Sequence, residues 1–493
     1  MNRLTSQQRK LVYFGAILVL AIPIIWLGMP GGPKGQASDG TAQTESVGGG
    51  KLAQLRNKYE LGESNLGDVD PSSATMNLVL VGLRGIAVDL LWREANKNQE
   101  TKNWAALKTN VESIILLQPH YMGVWQFQAW NLSYNVSAEW DLIGDKYYWL
   151  KEGAKFSIRG SKRNSKYPEL FYWVGQILGE KLGRHDAWRY FRKFFNPGAY
   201  DASNDPLVGD PDLKRRTGKI GPDPELNPDD IDNYLVAKKW FHIANDKEKE
   251  ERQHIMMKAL FRQKPAQAQI GYAQALQREG RFDDIDLMSR AWQLANQELT
   301  TRYQNGKPGF GQEEFKFADV GVIRLDAETD EELKQLTLLD DPPGKFSIEA
   351  KRNAIEGIRK ILNYRYWRTR TEVEQLKETI QAHRDLFKGK DALLKSNPTE
   401  AIRLLQAGLY NYANILIRYP VLKVEDSTVE EVMIGILAWQ YAYKLIGQTP
   451  PEPVPAYQRD LNAFRTLKNL WLAHQPALET IRQTFNRELQ VPE

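Results

Sequence analysis

The sequence predicts an all-α protein, in which stacked helical hairpins form an α-solenoid with one N-terminal transmembrane helix and two irregular inserts. Three observations support this prediction. Residues 11–29 contain no charged side chain. Beyond residue 50, apolar residues recur with the 3.6-residue period of amphipathic helices. Helices, short turns and prolines alternate roughly every 30 to 40 residues, a period that is typical of helical solenoids.

The uncharged run at residues 11–29 is predicted to hold the protein in the cytoplasmic (inner) membrane as a single-pass anchor. Its nineteen residues are long enough to cross the ~30 Å hydrocarbon core as a helix. Three basic side chains precede the run within residues 1–10, and only Lys34 follows it closely. This asymmetry predicts a cytoplasmic N-terminus and an exported body.

Two other interpretations of this segment stay open. It is also compatible with a cleaved signal peptide, because Gly35, Gln36 and Ala37 resemble a small-residue cleavage site. A buried helix of a soluble protein is the third interpretation.

Composition excludes several classes of function. The chain has 493 residues and a formal net charge of only +4, so no large field of one sign marks a nucleic-acid binder. It contains no cysteine, which excludes disulfides, iron–sulfur clusters, thiolate zinc sites and cysteine nucleophiles. None of the six histidines pairs with another three or four residues away, and we expect them to have structural or surface roles. We therefore predict no cofactor and no metal.

Composition and periodicity also divide the chain into segments. Glycine- and serine-rich stretches behave as flexible coil, and long stretches without periodicity are usually functional loops or disordered. The predicted order after the membrane helix is a linker (30–50), an N-terminal helical-repeat region (51–196), an irregular loop (197–230), a helical-repeat region (231–304), an irregular insert (305–346) and a C-terminal helical region (347–493).

Individual helices can be placed within these regions. The pattern predicts a helix over Trp104–Leu117 with an apolar face, a single long charged helix over Ile348–Lys388, and a helix from Pro398 to Tyr419. The second insert is expected to contain a short strand around Val320–Leu325.

One stretch interleaves aromatic and basic residues. Tyr364 and Trp367 are separated by three positions, so on a helix they form a core stripe. The stripe is expected to leave the arginines of this stretch, Arg365, Arg368 and Arg370, outside. The alternative is a surface that stacks nucleobases or binds an extended peptide.

Three stretches resemble tetratricopeptide-type repeats. Ala273, Gly280 and Phe282 stand where that family has a small residue, a turn glycine and an aromatic residue. The resemblance implies a tetratricopeptide-like solenoid.

The chain is also similar to a family of bacterial membrane-anchored, repeat-like proteins. The similarity lies in residues 83–95, 125–135 and 363–370. Some members of that family carry a label that mentions an iron-responsive element, although no residue of this chain supports such a role.

We expect a non-enzymatic scaffold for protein–protein contacts outside the cytoplasmic membrane. Polar residues on the first helices of the hairpins are predicted to line a concave groove for a protein or peptide partner. These candidates are Arg84, Asp89, Arg93, Gln126, Asn131, Asn135 and Gln176.

Two alternatives belong to other classes. One is an exported all-α hydrolase that uses a pair of carboxylates, which requires two facing acids in a deep pocket. The other is an RNA-binding protein of the iron-responsive-element-labelled kind, which requires the body to be cytoplasmic. An exported body makes nucleic acid an unexpected partner.

Overall fold

The computed structural model describes Val19, Lys51 and residues 84–197, 223–251, 258–300, 308–317, 319–340, 345–424, 426–450, 452–457 and 460–489. Across these ranges the chain is predominantly helical, which confirms the all-α prediction. The described residues form two compact units. The first contains the residues up to Trp130 and Phe156–Leu170, and the second contains Asn131–Lys155 and the residues from Phe171 onward.

The predicted membrane helix and linker, residues 11–50, lie outside the described residues except for Val19. Among the helices that the structure describes, none combines the length and the apolar character needed to span a bilayer.

The first unit begins with helices α1 (Arg84–Glu100), α2 (Trp104–Leu117) and α3 (Met122–Trp130). The bounds of α2 match the prediction from sequence. Asn103 caps α2, because its side chain accepts a hydrogen bond from the backbone N–H of Ala106 at 3.3 Å. The apolar stripe of α2 is buried as its period predicts.

The next two helices, α4 (Ile143–Arg163) and α5 (Pro168–Gln176), are each divided between the units. In the second unit, the π-helical segment Asn131–Val136 contacts another π-helical segment, Ile177–Lys181. The next helices are α6 (Trp188–Phe195), α7 (Asn233–Glu251), α8 (Lys258–Arg262), α9 (Lys264–Arg278) and α10 (Ile285–Leu299). Helix α9 packs against both α7 and α10.

A β-hairpin follows within the second predicted insert. Strands β1 (Glu314–Phe317) and β2 (Gly321–Arg324) pair antiparallel, so the short strand expected near residues 320–325 is confirmed. Helix α11 (Asp330–Leu338) comes next and starts with a capping box formed by Thr329 and Glu332.

A buried ion pair attaches this hairpin to helix α12 (Ile348–Ile361). The Lys351 Nζ lies 2.8 Å from an oxygen of Asp340, and neither side chain is exposed. Lys351 also donates to the carbonyl of Val322 at 2.7 Å, and the backbone N–H of Val322 donates to Asp340 at 2.7 Å. Because both charges are matched by hydrogen bonds, the pair satisfies the conditions under which buried charge is tolerated.

The expectation of a single helix over 348–388 is wrong, since three helices cover that region. The chain turns at Asn363, which has a left-handed backbone (φ +49°), and again at Leu376, which is extended (ψ 136°). Asparagine tolerates the left-handed region better than most residues. The helices that follow α12 are α13 (Tyr364–Glu374), α14 (Lys377–Leu394), α15 (Pro398–Arg418), α16 (Asp426–Leu445), α17 (Leu461–Ala473) and α18 (Leu478–Leu489).

The C-terminal helices enclose a continuous apolar core. Helices α14 and α15 approach closely at Gly408, where a Cβ atom would lie only 3.0 Å from the backbone nitrogen of Leu386. Helix α15 begins at Pro398 as predicted, and its N-terminus is capped by Asn397. This packing places one face of α14 and α16 toward a cleft.

Candidate functional site

The second unit contains a cleft of about 730 Å³. Its lining comes from residues around α6, from the end of α9 and the turn after it, and from α13, α14, α16 and α18. The residues around α6 and at the end of α9 contribute basic and aromatic side chains, here called the basic wall. Helices α14, α16 and α18 contribute acidic and apolar side chains together with His383 and Lys390. The lining includes Arg184, Trp188, Arg189, Gln277, Arg278, Phe282, Arg370, His383, Phe387, Lys390, Asp391, Leu394, Ser427, Glu430, Glu431 and Glu488.

Helix α6 supplies the basic wall because it is strongly amphipathic. Phe191, Phe194 and Phe195 are buried on one side, while Arg189 is exposed on the other. The guanidinium carbons of Arg189 and Arg278 lie 5.4 Å and 4.8 Å from the Trp188 ring centroid. Such distances are within the range of cation–π attraction.

Arg278 is fixed in place at the end of α9. Its Nη2 donates to the carbonyl of Gly183 and to the hydroxyl of Tyr234, each at 3.3 Å. The side chain is nevertheless exposed, as are those of Arg184 and Arg189. The wall therefore presents three guanidinium groups, two of which lie beside the Trp188 ring.

A glycine turn shapes the apolar strip of the cleft. Gly280 has φ +70°, and the N–H of Arg281 donates to the carbonyl of Leu276 at 3.0 Å, which closes helix α9. A Cβ atom at position 280 would lie 2.3 Å from the ring of Phe387. The rings of Phe282 and Phe387 are consequently close, with centroids 5.6 Å apart.

A buried imidazole links three helices at the base of the cleft. His383 of α14 places its Nε2 2.8 Å from Glu374 of α13 and its Nδ1 2.7 Å from Glu431 of α16. Gln277 of α9 donates to the same oxygen of Glu374 at 2.9 Å. Because both ring nitrogens face carboxylates, the geometry favours a doubly protonated imidazolium.

The charges in this group stabilise one another. Burial alone would lower the pKa of His383, but Glu374 and Glu431 outweigh it and raise the pKa to about 10. Burial alone would raise the pKa of Glu374. The charge and hydrogen bond of His383, and to a smaller extent the charge of Arg370, outweigh burial and lower the pKa to about 2. The pKa of Glu431 is lowered in the same way, again against the effect of burial. At neutral pH the three groups are a carboxylate, an imidazolium and a carboxylate.

Arg370 extends this network to the start of α16. Its Nη1 donates to the hydroxyl of Tyr366 at 2.6 Å and to that of Ser427 at 2.8 Å, and its Nε donates to Glu374 at 3.3 Å. The residue is 6% exposed. The expectation that Arg370 lies outside the Tyr364 stripe is therefore wrong, because the buried Glu374 compensates its charge.

The groove residues predicted from sequence lie in both units. In the first unit, Arg84 begins α1, and Asp89 and Arg93 form an exposed ion pair at 3.0 Å. Gln126 is half-buried on α3. All four positions belong to the first unit, whereas the lining residues of the cleft belong to the second.

The other three predicted residues belong to the second unit. Asn131 is fully buried and accepts a hydrogen bond from Asn135 at 2.9 Å. Asn131 is therefore a correction to the predicted set, since a buried amide is not presented to a partner. Gln176 is half-buried and hydrogen-bonds to Glu180. These residues do not line the cleft either.

Sequence reasoning missed the residues that form the cleft, because they are distant along the chain. Glu374, His383 and Glu431 come from three helices, and nothing in their spacing indicates that they meet. The one local signal was Gly280, which the resemblance placed at a turn before Phe282. Among the described residues, no group of three or more histidine or acidic side chains could hold a metal ion.

Comparison of the chain with protein-family models, with curated proteins and with solved structures finds no match.

Proposed function

We propose that the chain is a membrane-tethered, non-enzymatic α-solenoid that binds a protein or peptide segment on the outer side of the cytoplasmic membrane. The observation that carries this proposal is the cleft of the second unit, about 730 Å³ in volume. Its rim combines exposed arginines with the exposed apolar side chain of Leu394. A groove between helices that offers both kinds of contact suits an extended segment or a partner helix.

Residues 11–29 support the tether in this proposal. They carry no charge, and the basic residues precede them. The charge asymmetry favours an exported body. A reporter enzyme fused after residue 50 tests this part: activity restricted to the exported compartment is expected, and cytoplasmic activity would overturn it and favour the RNA-binding alternative.

The state of the carboxylates supports binding over hydrolysis. A hydrolase with two carboxylates needs one of them protonated as a general acid, with a raised pKa. Glu374 and Glu431 instead share His383, and the pKa of each is lowered. Both groups are occupied in holding α13, α14 and α16 together.

Site-specific photo-crosslinking in the full chain tests the binding proposal. A benzophenone amino acid at Leu394 lies on the cleft rim, and one at Leu338 lies on α11 away from the cleft. Both side chains are exposed, at 52% and 74%. We expect a discrete protein adduct from position 394 in cells that produce the chain. Identical adduct patterns from both positions, or none from 394, would contradict the proposal.

A further inference from the structure

Charge is distributed unevenly in the cleft. Among the described residues, no carboxylate forms an ion pair with Arg184, Arg189 or Arg278, although all three are exposed on the same wall. The acidic side chains opposite are mostly neutralised. Lys390 pairs with Glu488 at 2.8 Å, and Lys395 pairs with Asp391 at 2.6 Å.

The remaining acids opposite contribute little free negative charge. Glu431 is held by the His383 imidazolium. Glu430 is the one carboxylate of the cleft lining without a basic partner among the described residues. Among the described residues, three guanidinium groups of the lining thus have no carboxylate within ion-pair distance, and one lining carboxylate has no basic partner. This part of the cleft therefore has an excess of positive charge.

We infer that the occupant of this cleft is an acidic extended peptide segment, and this inference rests on the proposed function. Its carboxylates would contact Arg184, Arg189 and Arg278, because guanidinium groups bind carboxylates with directed hydrogen bonds. An apolar side chain of the segment would lie on Phe387 and Leu394. Trp188 holds two of the guanidinium groups beside its ring, which reduces the conformational entropy that they lose on binding.

An acidic peptide explains more of the cleft than a free phosphate or a nucleic acid does. A phosphate would use the arginines but would leave the apolar surface of Phe387 and Leu394 without a function. A nucleic acid would bring a continuous negative backbone close to Glu430 and the partly exposed Glu431. A peptide can vary its side chains along its length and so match both walls.

The test uses the full chain in detergent micelles and two fluorescein-labelled probes. The first is the peptide Gly-Glu-Leu-Asp-Glu-Leu-Gly-amide with fluorescein on its N-terminal amine, and the second is labelled in the same way and replaces each acidic residue by lysine. We expect the acidic probe alone to bind, and binding to weaken as salt is raised, since exposed charges are screened. An oligothymidylate of equal charge is the competitor, and its tighter binding would overturn the inference in favour of nucleic acid.

Variants identify where the probe binds. Arg184→Gln combined with Arg189→Gln is expected to weaken binding of the acidic probe roughly tenfold, as two partly exposed ion pairs are lost. Arg290→Gln is the matched control, because Arg290 is exposed on α10 and does not line the cleft. Arg189→Glu should reduce binding of the acidic probe further and allow binding of the lysine probe. Equal affinities for the double variant and the control would overturn the inference.

Failure of this inference is distinguishable from failure of the proposed function. A neutral or basic segment cross-linked at position 394 would overturn the acidic specificity and leave the proposed binding role in place. Absence of any adduct at position 394 would contradict both.

Discussion

Two buried ion clusters of the second unit use charge in different ways. Lys351 and Asp340 are completely enclosed, and each also bonds to the backbone of the β-hairpin. Glu374, His383 and Glu431 are buried at one end only, because the side chain of Glu431 is 31% exposed at the cleft. The enclosed pair holds the hairpin on α12. The open cluster fixes three helices and leaves one wall available to a ligand.

The largest effect is expected at the enclosed pair. Lys351→Met leaves Asp340 as a buried charge without a cation, which should lower the free energy of unfolding by about 3–5 kcal/mol. Urea unfolding of the full chain in detergent measures this change. Lys360→Met, at an exposed position on the same helix, is the control and should change the free energy by less than about 0.5 kcal/mol. Similar losses in both variants would show that the Lys351–Asp340 pair contributes no more to the free energy of unfolding than an exposed lysine does.

A smaller, pH-dependent effect is expected at the open cluster. His383→Gln removes the imidazolium and should destabilise the chain by about 2–3 kcal/mol near pH 6, because one of its carboxylates is partly solvated. The folded pKa of His383, about 10, lies above its ordinary value of 6.5. The stabilisation is therefore complete below about pH 6.5 and is lost as the pH rises through 10, by up to about 1.4 kcal/mol per pH unit.

The free energies of unfolding of the wild type and of His383→Gln at pH 6, 8 and 10 test whether the stabilisation by His383 is lost as the pH rises. The difference between the two chains should shrink as the pH rises. His474→Gln is the control, since among the described residues no carboxylate pairs with His474, whose ring bonds to the carbonyl of Leu470. A difference that stays constant with pH would mean that His383 is neutral in the folded chain.

The smallest difference between a variant and its control is expected at the glycine turn that supports the cleft. Gly280 and Gly447 both close helices with positive φ, +70° and +71°. A Cβ atom at 280 would meet Phe387, whereas one at 447 would meet nothing within 4 Å. Because both positions have positive φ, alanine at either one adds a backbone strain of about 1 kcal/mol. Gly280→Ala should cost about 1–2 kcal/mol more because of the overlap.

Thermal unfolding of these two variants measures that additional loss. The binding of the acidic probe should also weaken in Gly280→Ala and be unchanged in Gly447→Ala. Equal losses of stability would show that Phe387 moves aside without cost.

Local elements were predictable where local chemistry decides them. The bounds of Trp104–Leu117 follow from its apolar period, and the start of α15 follows from Asn397 and Pro398. The region 348–388 was predicted as one helix because its composition favours helix throughout. The turn at Asn363 directly precedes Tyr364, which is 1% exposed, and helix propensity is too weak a signal to reveal the turn.

By itself the sequence determined the helical class, most helix faces and the uncharged run at residues 11–29, since these depend on the order of neighbouring residues. Only the tertiary structure decided that Arg370 is buried and that His383 lies between Glu374 and Glu431. Those contacts join residues on different helices, and the charge of each group is tolerable only because the others are present. Arg370, His383 and Glu431 line the cleft, so its charged base is formed by contacts that no single stretch of the chain encodes.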